Sequence, residues 1–210
     1  MSVLDEIQQG VIDGQAPAVQ RLVQQALAEG LPAERILNEG LIAAMAEVGR
    51  LFEANEFFVP EMLVAARAMK AGLALLRPKL AEANVQAIGK VVIGTVQGDL
   101  HDIGKNLVGM MLEGAGFEVI DLGTDVPPHK FLEAVKMHRP DLVGFSALLT
   151  TTMPKMRDNI VALEEAGLRD SVRVMIGGAP VTAEFAEKIG ADFYAPDASS
   201  AATRAKQAIS

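Results

Sequence analysis

Apolar positions over the first 85 or so residues recur three and four apart, the spacing of helices that each bury one stripe. Val3, Leu4, Ile7, Val11 and Ile12 form the first stripe, which Gly14 ends. Pro17 suits the first turn of a second helix, striped by Val19, Leu22, Val23, Ala26 and Leu27 and closed by Gly30. Pro32 opens a third and longer one through Ile36, Leu37, Leu41, Ile42, Met45, Val48, Leu51 and Phe52. After the polar turn Glu53-Ala-Asn-Glu56 and Phe57-Phe58-Val59, Pro60 starts a fourth, carried by Met62, Leu63, Ala66, Met69, Leu73 and Leu76. Four antiparallel helices on short loops predict a small bundle. Pro78 to Gly89 reads as helix tail and linker, which divides the chain into domains 1–88 and 89–210.

From Lys90 the pattern changes to short β-branched runs alternating with helical stretches. The predicted strands are Val91 to Thr95, Phe117 to Asp121, Leu142 to Ser146, Val172 to Ile176 and Phe193 to Ala195. The predicted helices between and after them run from Asn106 to Glu113, Lys130 to His138, Pro154 to Ala166, Thr182 to Ile189 and Ser199 to Ala208. Such alternation implies a parallel sheet with right-handed crossovers and helices on both faces. The expected fold class is therefore a four-helix bundle followed by an α/β flavodoxin-like (Rossmann-like) domain, five parallel strands in the order 2-1-3-4-5. That order sets the loops Gln97 to Lys105 and Ser146 to Met153 side by side at one crevice, with Gly177-Gly178 after the fourth strand close by.

Composition narrows the classes of function. A net charge of −8 across 210 residues argues against a nucleic-acid or anionic-membrane binder, which needs clustered Lys and Arg. The amino terminus lacks the basic start and apolar core of a signal peptide, and no run approaches the roughly 20 apolar residues of a membrane span. A cytoplasmic protein is expected. With no cysteine, thiolate nucleophiles, Fe–S clusters and Cys-based zinc sites are all excluded. Any metal must be held by histidine or oxygen, or arrive inside an organic cofactor.

The candidate chemistry gathers at Gly98-Asp-Leu-His-Asp-Ile-Gly104, directly after the first strand. His101 stands between Asp99 and Asp102, and in an extended loop residues i and i+2 point the same way, so Asp99 can reach its ring. A carboxylate fixes an imidazole's orientation and raises its basicity, which suits a metal ligand or a general base. His129 and His138 lie at helix ends and read as structural. The enzyme readings each lack a part. No glycine-framed nucleophile elbow precedes Ser146 or Thr152, Gly94-Thr-Val-Gln-Gly98 is no dinucleotide fingerprint, and there is no phosphate loop. Asp99, His101 and Asp102 alone are a thin ligand set for a bare metal, and a phosphoacceptor domain would want an Asp where Ser146 stands.

Asp99-Leu-His101-Asp-Ile-Gly104 resembles the Asp-x-His-x-x-Gly signature of vitamin B12-binding domains, and Ser146-x-Leu148 and Gly177-Gly178 follow where that family has them. The helical half, from Gly40 through Val48-Gly-Arg-Leu-Phe52 to Phe58-Val-Pro60-Glu-Met62, resembles the cap domain that precedes the B12 domain in methionine synthase and in methyltransferase corrinoid proteins. The likeness covers nearly the whole chain. It implies a cobalamin or other corrinoid cofactor cycling between methylcob(III)alamin and cob(I)alamin. His101 would be the lower axial cobalt ligand in place of the cofactor's benzimidazole, Asp99 would hold the other ring nitrogen, and Thr152 would extend the relay. Gly98, Asp102 and Gly104 belong to the same motif.

The resemblance further implies that Ser146, Leu148, Gly177 and Gly178 line a slot for the displaced nucleotide tail, and that Thr150 and Ala198 touch the corrin. Phe52, Phe58, Val59 and Met62 would shield its upper face. The implied role is a methyl carrier. It would be loaded by a substrate-specific methyltransferase using a methylamine, methanol or a methoxylated aromatic. It would be unloaded by a second one acting on tetrahydrofolate or coenzyme M, and kept active by a reductive activator. A B12-dependent sensor is the alternative. Such regulators carry a DNA-binding domain ahead of the cap, whereas here the cap begins within the first residues and the charge is acidic.

Overall fold

Ser2 and Asp5 start the first helix by satisfying each other's backbone: the Ser2 hydroxyl accepts from Asp5 N–H at 3.2 Å, and the Asp5 carboxylate from Ser2 N–H at 2.7 Å. In the computed structural model, which describes residues 2–209, this helix α1 (Val3–Ile12) is followed by α2 (Ala16–Ala28), α3 (Ala33–Arg35), a π-helical segment (Ile36–Ile42), α4 (Ala43–Glu53) and α5 (Val59–Glu82). The chain falls into two units, one running to Ala87 and including Gly114–Gly116, the other spanning Ile88–Glu113 and everything from Phe117 on.

The expected third helix is present as α3, the π segment and α4 without interruption between 33 and 53. Its π character was not foreseen. Ile36 and Leu41, five residues apart, are both fully buried, a spacing that the i→i+5 hydrogen bonding of a π turn serves. Helix α5 begins at Val59, one residue before the expected Pro60, and the expected helix tail beyond Pro78 runs to Glu82. Proline costs one hydrogen bond, but Leu76 and Leu80 on either side of it are buried and carry the helix past that gap. The stop comes at Asn84, in the left-handed conformation (φ 56°), with Val85 N–H returning to the Leu80 carbonyl at 2.9 Å.

Glycines let these helices approach closely. A Cβ on Gly72 would lie 2.9 Å from Val19 Cγ1 and 3.0 Å from Leu41 Cδ2. Gly72→Ala is expected to lower stability by about 1 kcal/mol, an overpacking cost of about 1–3 kcal/mol less the roughly 1 kcal/mol of helix propensity gained. Urea unfolding of the whole chain measures it, and a raised midpoint would contradict the packing described.

The second unit alternates strictly: β1 (Lys90–Thr95), α6 (Ile103–Gly114), β2 (Glu118–Asp121), α7 (Pro128–His138), β3 (Leu142–Ser146), α8 (Pro154–Glu165), β4 (Arg173–Gly177), α9 (Ala183–Ile189), β5 (Phe193–Tyr194) and α10 (Ala198–Ile209). All pairings are parallel and the order is β2-β1-β3-β4-β5, as the pattern predicts. The central strands β1 and β3 are buried almost end to end, the mark of a sheet covered on both faces. Phe131 and Phe145 pack edge to face in its core, ring centroids 4.8 Å apart.

The boundaries shift slightly. β4 sits one residue later than expected, β5 is two residues long and leaves Ala195 outside, and α6 starts at Ile103 instead of Asn106. Asp102 causes the last difference: its carbonyl accepts Asn106 N–H at 2.7 Å and its carboxylate accepts from Asn106 Nδ2 at 3.1 Å, closing the first turn early. His138 ends α7 beside Lys136, where cations suit the helix dipole. Among the described residues no helix is long and apolar enough to cross a membrane.

Candidate functional site

Strand register builds the site. Thr95, Ser146 and Gly177 are paired across β1, β3 and β4, so the loops that follow them emerge together at the carboxyl edge. Val96 N–H donates to the Ser146 carbonyl at 3.0 Å, tying the first loop to the second. The chain then turns through Gly98, whose φ of 84° is open to glycine, and places Asp99 inward and His101 outward.

Asp99 is completely buried, and five groups donate to its carboxylate. Oδ1 lies 2.7 Å from His101 Nδ1 and accepts His101 N–H at 3.1 Å. Oδ2 accepts the Thr152 hydroxyl at 2.7 Å, Leu148 N–H at 2.8 Å and Leu149 N–H at 3.3 Å. Burial pushes the carboxyl up. The hydrogen bonds from Thr152, from the His101 ring and backbone, and from Leu148 outweigh it and hold the group well below the usual carboxylate range. The ionised Asp99 thus takes the Nδ1 proton as a hydrogen bond and leaves the Nε2 lone pair free to bind.

The side chain of His101 is half exposed, at 50%. Around it Leu100, Ile103, Leu148 and Leu149 are all exposed, an apolar surface that water covers poorly. A Cβ on Gly104 would meet nothing within 4 Å, so that side of the motif is open. Asp102 does not reach the ring and holds Asn106 instead. No group of three or more His, Asp or Glu able to hold a metal occurs among the described residues. The site therefore offers one nitrogen donor to a metal that brings its other ligands with it.

The glycines continue the floor. Gly178 has φ 133°, and a Cβ there would fall 1.9 Å from the Ala147 carbonyl oxygen, while one on Gly177 would be 3.1 Å from the Ala195 carbonyl oxygen. The loops after β3, β4 and β5 thus touch backbone to backbone. Ser146 is half-buried at the end of β3, Thr150 is exposed in the loop beyond it, and Ala198 is buried as the first residue of α10. Phe52, Phe58, Val59 and Met62 belong to the helical unit and flank the turn between α4 and α5. Phe58 is 60% exposed and Val59 37%, while Met62 at 2% is part of the bundle core.

Three residues with contacts at the site, Thr95, Asp125 and Lys105, are not singled out by the sequence pattern. The Thr95 hydroxyl donates to the His101 carbonyl at 2.8 Å. The Asp125 carboxylate accepts Gly98 N–H at 2.7 Å, and Asp125 N–H donates to the Asp99 carbonyl at 2.9 Å. Lys105, buried on α6, pairs with Asp121 and Asn106. Thr95 reads as one more β-branched strand residue and Asp125 as one more loop acid; the only signal was a polar residue ending a buried strand.

Comparison with known proteins identifies the family. Residues 89–203 match the model of the B12 binding domain, and residues 3–77 match a second family model with the same description. The chain is 48% identical over 208 residues to dimethylamine corrinoid protein 1 of Methanosarcina acetivorans, covering 99% of this chain and 97% of that one. Among solved structures, a cobalamin-binding protein from Desulfitobacterium hafniense superposes with a TM-score of 0.82 at 32% identity, covering 99% of this chain and 98% of that one. A chain of the methanol:cobalamin methyltransferase complex from Methanosarcina barkeri does so with a TM-score of 0.89 at 29% identity, covering 99% and 79%. The chain belongs to the B12-binding corrinoid proteins. Its cofactor is a corrinoid, and the single nitrogen donor, open apolar floor and glycine-lined seam fit such a group.

Proposed function

We propose that this protein carries a methyl group on corrinoid cobalt between two methyltransferases, with His101 as the lower axial ligand. The observation that carries the reading is the contact between Asp99 Oδ1 and His101 Nδ1 at 2.7 Å, which commits one ring nitrogen and reserves the other. The loading partner is a substrate-specific methyltransferase acting on a methylamine, methanol or a methoxylated aromatic. The 48% identity to a dimethylamine corrinoid protein favours the methylamine. Delivery is to a second methyltransferase acting on tetrahydrofolate or coenzyme M, and a reductive activator restores cofactor that has been oxidised.

When bound, the corrinoid supplies a metal centre that takes up and gives back a methyl group. The chain supplies control over it. Asp99 keeps the Nδ1–H tautomer, so Nε2 is the ligand. Thr152 and the Leu148 amide hold Asp99 ionised, so its carboxylate stays an acceptor for the ring and Nε2 would remain available to hold the metal when the group is bound. Leu100, Ile103, Leu148 and Leu149 exclude water from the lower face. Ser146, Gly177 and Gly178 line the seam proposed for the nucleotide tail, with Thr150 and Ala198 at its margins. Phe52, Phe58 and Val59, in the helical unit, would supply an apolar cover that shields a reactive metal from oxidants, whereas the burial of Met62 in the bundle core confines it to supporting that helix.

His101→Ala tests the assignment. The variant, reconstituted with hydroxocobalamin, should retain the corrinoid yet lose the nitrogen splitting of an axial imidazole in the EPR spectrum of the reduced, cobalt(II) protein. An unchanged spectrum would sink the reading.

A further inference from the structure

Asp99 controls how the His101 ring is turned and which nitrogen bears the proton. It does not fix where the ring stands, because that depends on the backbone of residues 98–101. Four backbone groups of this stretch are held from outside it: Asp99 N–H by the Val96 carbonyl at 3.1 Å within the same turn, Gly98 N–H and the Asp99 carbonyl by Asp125, and the His101 carbonyl by the Thr95 side chain. We propose that Thr95 and Asp125 are positioning residues for the axial imidazole, a clamp on the His101 loop that presets the ring for ligation. The inference rests on His101 being the axial ligand.

Each clamp residue is itself anchored. Thr95 is fully buried as the last residue of β1, with its N–H on the Gly123 carbonyl at 2.9 Å and its carbonyl on Val126 N–H at 3.0 Å. Its hydroxyl therefore projects from a rigid strand end, and the 2.8 Å bond to His101 transmits that rigidity. Asp125 sits in the left-handed region at φ 53°, a conformation that costs an L-residue energy and that Asp and Asn tolerate better than most. From that conformation one residue offers a donor and an acceptor to the same turn, at 2.9 and 2.7 Å. Strain held by two specific bonds to a ligand-bearing loop is what preorganisation of a site looks like. Loop freedom that the clamp removes beforehand is not lost again when the metal binds.

Neither residue donates to or accepts from the ring, so their loss spares the Asp99–His101 bond and weakens ligation only through position. With hydrogen bonds of ordinary net strength, each should shift the ligation equilibrium about three- to tenfold.

The test uses the full chain reconstituted with hydroxocobalamin and reduced to cobalt(II), reading the ratio of nitrogen-split to unsplit EPR signal at one fixed pH. Weaker presetting of the ring lowers that ratio, so Thr95→Val and Asp125→Gly should each reduce it by about three- to tenfold. Thr95→Ser keeps the hydroxyl and Asp125→Asn keeps an oxygen acceptor and the left-handed backbone; both should stay near the parent. Asp125→Gly relaxes the strained φ, so it reads the clamp even if Thr95→Val fails to fold. Parent-like ratios in Thr95→Val and Asp125→Gly, with the splitting lost in His101→Ala, would overturn the clamp alone. A loss in Thr95→Ser equal to that in Thr95→Val would also overturn it, since packing rather than the hydroxyl would then be responsible. A splitting that survives His101→Ala would remove the axial-ligand reading and the clamp with it.

Discussion

Asp99→Asn is expected to abolish most histidine ligation while leaving His101 in place. Donors surround the carboxylate on both sides, with the Thr152 hydroxyl and the Leu148 and Leu149 amides on Oδ2 and the His101 amide and ring on Oδ1. An amide has one oxygen and one NH2. Its oxygen belongs on the Oδ2 side, where three donors converge, which leaves NH2 facing His101. The ring must then accept at Nδ1, and its proton moves to Nε2, the atom assigned to the metal. Nitrogen splitting in the cobalt(II) EPR spectrum should fall at least about tenfold, corresponding to roughly 1.4 kcal/mol. NH2 also meets the His101 amide head-on, and apo-protein stability in urea should drop by about 2–3 kcal/mol. Retained splitting at parent intensity would show that the carboxylate does not set the tautomer.

The same substitution has a pH signature. The folded-state pKa of Asp99 is lowered, so its contribution to stability is fully present above the unfolded value of about 4. That contribution is lost as pH falls through the lowered folded value. Asparagine does not titrate, so the variant should show less acid-induced loss than the parent below about pH 4, and the two curves should converge.

The sheet was legible because its strands, buried on both faces, read as unbroken apolar runs such as Val91-Val-Ile93 and Leu142-Val143. Strand order then followed from strict βα alternation, and with it the meeting of the loops that carry Asp99 and Thr152. The geometry of that meeting was visible only in part. Spacing of two residues predicts that Asp99 touches His101, and it does so. Asp102, the other carboxylate flanking His101 in sequence, lies one residue away and closes the first turn of α6 instead, because a residue before a helix has its own backbone to satisfy. Thr95 and Asp125 stayed hidden because their partners are backbone atoms, and any residue type supplies those. The π segment hid for a related reason: the pattern of Ile36, Leu37, Leu41 and Ile42 marks a buried face without stating the pitch of the helix bearing it. Pro78 reads as lying in a helix tail, and α5 does run past it to Glu82 because the burial of Leu76 and Leu80 outweighs a local breaker.

Gly178→Ala should be the most damaging single-carbon change in this domain. Two costs coincide there. At φ 133° an L-side chain is strained, and its Cβ would sit 1.9 Å from the Ala147 carbonyl oxygen, backbone that no rotamer change can move. Either the loop after β4 shifts away from the loop after β3, or the strands separate. The expected loss is at least about 3 kcal/mol, in the range reserved for steric and backbone catastrophes, measured by urea unfolding of the apo-protein. Corrinoid should be lost on gel filtration. Gly104→Ala is the necessary contrast, since its Cβ meets nothing within 4 Å in the folded chain. That variant should fold as the parent does, with alanine slightly favoured in α6 by about 1 kcal/mol or less. Any loss of corrinoid from it therefore reports on the surface facing the cofactor rather than on the fold. If Gly178→Ala keeps both stability and corrinoid, the backbone contact between the two loops is not what shapes the seam.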